Sequence, residues 1–243
     1  MKADVNVTDG MLPPSDSSSA SKHPETCRMF ENELLEKLSH IHPATPFVVF
    51  VPVVLWVLAR GWMMHALGIG QFVGLFVAGT AAWTLAEYIL HRWPFHWNNG
   101  TPFSKRVHFF VHGVHHDYPN DKTRLVMPLL MSVPLAFVFY FLFFWMFGPI
   151  VAQPFYAGFV TGYLCYDGTH YAVHHFKQRT RAGKYVRRHH MLHHFLNERT
   201  GFGVSSPFWD VIFRTMPDVK KPGIKRGLPS RERVDQPLRA NRG

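Results

Sequence analysis

Cysteine is nearly absent: Cys27 and Cys165 are the only two in 243 residues. One lies in a polar leader and the other in an apolar run, which argues against a disulfide framework and leaves any metal site without thiolate ligands. Charge is scarce as well, at 17% of residues against 47% hydrophobic, with Phe at 22 positions. That is apolar for a water-soluble domain. Residues 127–147 and 149–166 carry no charge at all. The first 27 residues lack an apolar core, so no secretory signal peptide is expected and membrane insertion falls to internal spans. Acidic residues are outnumbered, 16 against 26 Lys and Arg, for a net charge of +10. Such an excess invites a nucleic-acid reading, but the apolar blocks are of membrane length and point to a membrane instead, with no nucleic acid.

Residues 1–27 are rich in Ser, Pro and Asp and have little to bury, so they are expected to be a disordered leader. From Arg28 to Ile41, Met29, Phe30, Leu34, Leu35, Leu38 and Ile41 recur at helical spacing, as in a surface helix or one lying in a membrane interface. Four apolar stretches follow, at about 46–67, 70–90, 127–147 and 149–166. Each approaches the roughly 20 residues that a spanning helix needs. Short breaks at 59–69 and 148–153 then act as turns. The expected fold is an all-α integral membrane protein, with four transmembrane helices in two hairpins and a cytoplasmic helical cap. Of 26 Lys and Arg, Arg60 alone falls in a hairpin turn. The positive-inside rule then puts both termini and the segment between the hairpins in the cytoplasm. Residues 28–216 form the membrane domain, and 217–243 read as a disordered basic tail.

Against these scarcities stand 17 histidines. They gather in EYILHRWPFH (87–96), HFFVHGVHH (108–116), DGTHYAVHH (167–175) and RHHMLHH (188–194). His112, His115 and His116 sit at i, i+3 and i+4, on one face of a helix. The same spacing returns at His190, His193 and His194, and His170 and His174 are i, i+4. Neutral imidazole is the commonest metal-binding side chain. About ten histidines are too many for one metal, and suit two metals with positions left open. Iron, copper, zinc and nickel all suit imidazole. His23, His40, His42 and His65 stand alone and read as structural. His108 lies one turn before His112, while His175 and His189 adjoin better-placed candidates. Glu87 and Asp167 lie one turn before a histidine, where a carboxylate can orient an imidazole from behind or simply mark a helix end.

The order of these runs resembles the fatty acid hydroxylase/sterol desaturase superfamily, and within it the fatty acid 2-hydroxylases. Further matching runs are DKTRLVMP (121–128), GFGV (201–204) and FWD (208–210). The resemblance covers about residues 28–216. It implies a four-span membrane monooxygenase with two metal ions, expected to be iron, that uses dioxygen and takes electrons from a reductant. Carried over position by position, the ligands would be His91, His96, His112, His115, His116, His170, His174, His190, His193 and His194. His190 is preferred to His189 because it keeps the HxxHH spacing. Glu87, Asp167, His108, His175 and His189 would stand behind them. Zinc can occupy the same ligands in purified protein, since its affinity for such sites exceeds that of ferrous iron. Family members with a fused cytochrome b5 domain carry an HPGG motif that is not found here. The donor is therefore expected to be a separate cytochrome b5- or ferredoxin-type protein, and the basic face would suit an acidic one.

The expected reaction is hydroxylation of a lipid acyl chain, at C2, in a fatty acid or sphingolipid-type lipid. A desaturase or sterol-modifying oxidase on the same scaffold is the alternative. A metal transporter is the remote one: its histidines should line a path through the spans, and residues 127–166 contain neither charge nor histidine.

Overall fold

Three long apolar helices carry the molecule: α2 (Thr45–Met63), α3 (Ile69–Leu90) and α6 (Leu129–His175). Each is long and apolar enough to cross a membrane. Short helices complete a computed structural model that describes residues 26–219: α1 (Glu33–Ser39), α4 (Pro102–His108), α5 (Val114–Asp117), α7 (Arg181–Phe195) and α8 (Phe208–Ile212). No strand occurs among the described residues. The expected leader, apart from its last two residues, and the expected tail beyond Val219 lie outside them.

The 47 residues of α6 are not one rod. Gly148 sits at φ 73°, ψ 169°, where only glycine settles without strain, and Pro149 next to it cannot donate to the preceding turn. The chain reverses there. The rings of Phe143 and Phe155 are 4.9 Å apart, and those of Tyr140 and Tyr156 are 5.1 Å apart. A straight helix would hold residues 12 apart in sequence at about 18 Å. The second half of α6 then runs on past residue 166, where the last apolar stretch was expected to stop, and carries Asp167, His170 and His174 in its final turns.

Two further boundaries differ from the expected ones. α2 continues through Arg60 to Met63, so the turn before α3 is shorter than 59–69. Arg60 lies in the last helical turn, where a cation suits the free carbonyls, and its guanidinium is 5.8 Å from the Trp56 ring. The amphipathic helix expected over 28–41 shrinks to α1 because Asn32 stops it. The Asn32 side chain accepts from the Leu34 and Leu35 N–H groups, as an N-cap does. The preceding residues stay outside the helix, and Glu36 accepts the N–H groups of Met29 and Phe30, each at 2.9 Å.

α3 and the second half of α6 touch at backbone level. A Cβ on Gly79 would stand 1.9 Å from the Phe155 carbonyl oxygen, and one on Gly158 would stand 1.9 Å from that of Phe76. Thr80 Oγ1 donates to the Gly158 carbonyl at 3.1 Å. Small residues that let backbones approach are a common way for helices to associate in lipid, where apolar burial gives no net drive. One turn along, the buried Trp83 ring meets Phe159 at 5.1 Å and Tyr163 at 5.3 Å. This contact fixes the ends of α3 and α6 side by side, and both ends carry histidines.

α1 is tied down by the DKTRLVMP run. Buried Arg124 donates to Glu36, to the Cys27 carbonyl oxygen and, at 2.8 Å, to His40 Nε2. The Ile41 N–H donates to the Thr123 carbonyl at 2.7 Å. Burial pushes the Glu36 carboxyl up, but the N–H groups of Phe30 and Met29 and the Arg124 charge outweigh it and hold the group at about 2. With its folded value below the unfolded one, this contribution is full above about pH 4.5 and is lost only as pH falls towards 2.

Gly158→Val must push α3 and α6 apart and is expected to cost about 1–3 kcal/mol. Thermal unfolding of the detergent-solubilised variant against the parent checks this. An unchanged transition would contradict the backbone contact.

Candidate metal centre

At the end of α3 the helix widens into a π turn, His91–Phe95. Pro94 lies inside it and has no N–H to give to an α-type bond. In an α-helix, residues five apart point about 140° away from each other. The wider turn brings His91 and His96 round to one side, with their Nε2 atoms 3.2 Å apart. A second π turn, Phe109–Gly113, precedes α5 and delivers His112. α5 carries His115 and His116, α6 carries His170 and His174, and α7 carries His190, His193 and His194.

The ten histidines expected as ligands converge as two groups of five. His91, His96, His112, His116 and His193 form one, and His115, His170, His174, His190 and His194 form the other. Within each, the candidate ligand atoms all lie within 4.8 Å of one another. Each three-histidine face is shared between the groups. His112 and His116 go to the first and His115 to the second, while His190 and His194 go to the second and His193 to the first. One helical face thus looks onto two centres, which interlocks the segment 108–117 with α7.

The donor set fits metal ions. In the first group, Nε2 of His91 is 3.0 Å from that of His112, and Nε2 of His96 is 3.1 Å from that of His193. In the second, His190 Nε2 is 2.9 Å from that of His174 and 3.0 Å from that of His194. Neighbouring nitrogens at about 2.1 Å from a metal are about 3.0–3.4 Å apart, close to the observed spacings. His91 Nδ1 is 2.6 Å from the Phe202 carbonyl oxygen, and His193 Nδ1 is 2.7 Å from that of Thr200. A carbonyl only accepts, so both Nδ1 atoms carry the proton and both Nε2 atoms present lone pairs. Lone pairs gathered at this distance call for a cation between them.

Burial first, and then the neighbouring imidazoles, push His112, His115, His116, His190 and His194 well below the usual histidine range. Burial and His91 push His193 the same way, against the Thr200 carbonyl that raises it. The site is therefore a set of neutral donors, the form in which imidazole binds metal.

The five residues expected behind the ligands take varied places. The Glu87 carboxylate does not bond the His91 ring. It accepts the Val204 and Ser205 N–H groups, at 2.6 and 2.8 Å, together with the Ser205 hydroxyl. It reaches His91 only through that loop. His189 Nε2 bonds Asp210 at 3.0 Å, and His108 Nδ1 bonds the Phe95 carbonyl oxygen at 2.7 Å. His175 packs on Tyr171, with ring centroids 4.5 Å apart. Asp167 bonds no imidazole and borders a cavity of about 200 Å³. Apolar side chains dominate that cavity, among them Phe110, Val114, Val126 and Met127, with Leu35 and Leu38 of α1 on one side. His112 and His115, one from each group, also line it. The residue that spacing rules missed is Asp210. Fully buried, it accepts the Phe202 and Gly203 N–H groups at 2.9 and 2.8 Å and the Thr215 hydroxyl at 2.7 Å. Although burial pushes its carboxyl up, the bonds from His189, Thr215 and Gly203 hold it below the usual value. The GFGV and FWD runs pointed to it by resemblance alone.

A family model described as fatty acid hydroxylase matches residues 76–215. The dihydroceramide fatty acyl 2-hydroxylase FAH1 of Arabidopsis thaliana is 34% identical over 196 residues, 80% of this chain and 82% of that protein. The fatty acid 2-hydroxylase of Homo sapiens is 32% identical over 218 residues, 82% of this chain and 58% of that one. Among solved structures, full-length scs7p, of which only the hydroxylase domain is visible, matches with a TM-score of 0.75 at 35% identity, covering 81% of this chain and 74% of that one.

In an unfolded chain these imidazoles titrate near pH 6.5, whereas in the folded one they resist protonation. The unfolded state therefore gains protons as pH falls below 6.5, and folding stability declines. Metal-free protein is expected to lose up to about 1.4 kcal/mol per pH unit for each such imidazole between pH 6.5 and 5. Chemical unfolding of the chelator-treated protein across that range measures it. A flat profile would mean that the clusters are not buried and neutral.

Proposed function

The chain belongs to the fatty acid hydroxylase family, and from that premise we propose that it is a membrane-bound di-iron monooxygenase that hydroxylates a lipid acyl chain at C2. The substrate is a fatty acid or a sphingolipid-type lipid, in keeping with the relatives' names. The observation that carries the proposal is the pair of five-imidazole groups beside an apolar cavity. Two iron ions held by those groups would supply the activation of dioxygen and the attack on the acyl C–H bond. One oxygen atom enters that bond and the other leaves as water, with electrons and protons from outside.

This chain's own residues bind and aim. Phe110, Val114, Val126 and Met127 offer the acyl chain an apolar wall. His112 and His115 border the same cavity, which brings the acyl carbon to both metal positions. Leu35 and Leu38 of α1 extend that apolar wall on one side. The two halves of α6, together with α2 and α3, make four spans in two hairpins. The concentration of Lys and Arg outside them supports a topology with both termini and the metal centre on the cytoplasmic side.

An acidic one-electron carrier of cytochrome b5 or ferredoxin type would dock on α7. Its outer face exposes Arg181, Lys184 and Arg188, and its inner face holds His190 and His193. A helix is only about 10 Å across, so a carrier seated there lies close to both groups.

Three measurements test this reading. Mass spectrometry of lipids from a host expressing the protein should find acyl chains with one added oxygen, and chains that have lost two hydrogens instead would contradict hydroxylation. His112→Ala and His193→Ala are each expected to lower product at least about a hundredfold with membrane insertion intact, and normal product from either variant removes that residue from the site. Arg181→Glu with Lys184→Glu should cut kcat/KM for the donor about tenfold at low salt and less at high salt; an effect indifferent to salt would dismiss α7 as the docking face.

A further inference from the structure

The two histidine groups are alike in number but not in how their imidazoles are held from behind. In the first group, His91 and His193 each donate Nδ1–H to a backbone carbonyl, of Phe202 and Thr200. Both carbonyls belong to one short stretch of chain, residues 200–205. Two buried carboxylates from different elements fix that stretch. Asp210 of α8 accepts the N–H groups of Phe202 and Gly203, and Glu87 of α3 accepts those of Val204 and Ser205. His189 and the Thr215 hydroxyl bond Asp210 in turn. The stretch is also tightly turned at Gly203, where a Cβ would stand 2.1 Å from the Ser206 carbonyl oxygen.

The second group lacks such a frame among the described residues. The Nδ1 atoms of His115, His170, His190 and His194 are buried and have no hydrogen-bond partner. Only His174 has a backbone group, at Pro119, within reach. Partners behind a ligating imidazole fix its tautomer and ring angle, and their loss typically lowers metal affinity 10–100-fold.

We propose, on the reading that each group holds one metal, that the two positions are unequal: the stretch 200–205, held by Asp210 and Glu87, makes the first group the tight site and leaves the second the labile one. Asp210 is the positioning residue of the first site. It touches no ligand nitrogen and acts through the Phe202 carbonyl.

Zinc release measures this without turnover. The full chain in detergent, loaded with Zn²⁺, is mixed with an excess of a chromophoric chelator. Two zinc ions per chain should leave in two phases of equal amplitude, separated in rate by about tenfold or more. His190→Ala should remove the fast phase and His91→Ala the slow one. Asp210→Asn should speed the slow phase about tenfold and leave the fast phase alone. Ser205→Ala, which loosens the stretch from the Glu87 side, should shift the slow phase in the same direction by a smaller factor; it decides the matter if Asp210→Asn does not fold. Two zinc ions leaving in a single phase, or equal acceleration of both phases by these variants, would overturn the inequality while keeping the two-metal reading. Fewer than two zinc ions bound would overturn that reading, and the inference with it.

Discussion

Ten neutral imidazoles are packed so that their lone pairs face one another at about the separation of neighbouring ligands around a metal. Without cations this arrangement is repulsive, and burial blocks the usual escape of protonation. Much of the remaining structure serves to hold this configuration. The backbone contact at Gly79 and Gly158 sets the histidine-bearing ends of α3 and α6 beside each other. The π turn at Pro94 rotates His96 onto the side of His91. Arg187 of α7 is buried and donates to the Val173 carbonyl, which docks the second HxxHH run against the end of α6.

The site also joins two solvents. Below it are apolar helices whose outward side chains, such as Phe137, Phe141 and Trp145, are exposed and suited to lipid. Above it is a basic, polar shell that includes the outer face of α7. The cavity is lined by α1, which Arg124 holds in place, by the segment 110–128 and by residues of both halves of α6. On the proposed function, a lipid acyl chain and an electron carrier would reach the same centre from different sides.

Much of this was legible in the sequence. The long apolar runs gave the long helices, because a segment with so little charge has almost nothing to keep it in water. The short break at 148–153 marked the reversal, and the structure puts it at Gly148, whose φ of 73° only glycine takes without strain. The histidine runs gave all ten members of the two groups. Their division was not legible. Spacing places His112, His115 and His116 on one face, but whether that face meets one centre or two depends on the segments opposite it. The i, i+5 pair His91 and His96 would point apart on an ordinary helix, and it took the π turn to unite them. The carbonyls of Thr200 and Phe202 were invisible to spacing because backbone acceptors carry no sequence signature, and Asp210 because it bonds the loop rather than any ligand one turn away. Glu87 was singled out for its distance from His91, yet its effect on that imidazole passes through a loop 117 residues further on.

Anomalous diffraction from crystals of the metal-loaded protein tests the division of the histidines between two centres. Two anomalous peaks are predicted, one bounded by His91, His96, His112, His116 and His193 and the other by His115, His170, His174, His190 and His194. A single peak, or His112, His115 and His116 together around one metal, would contradict it.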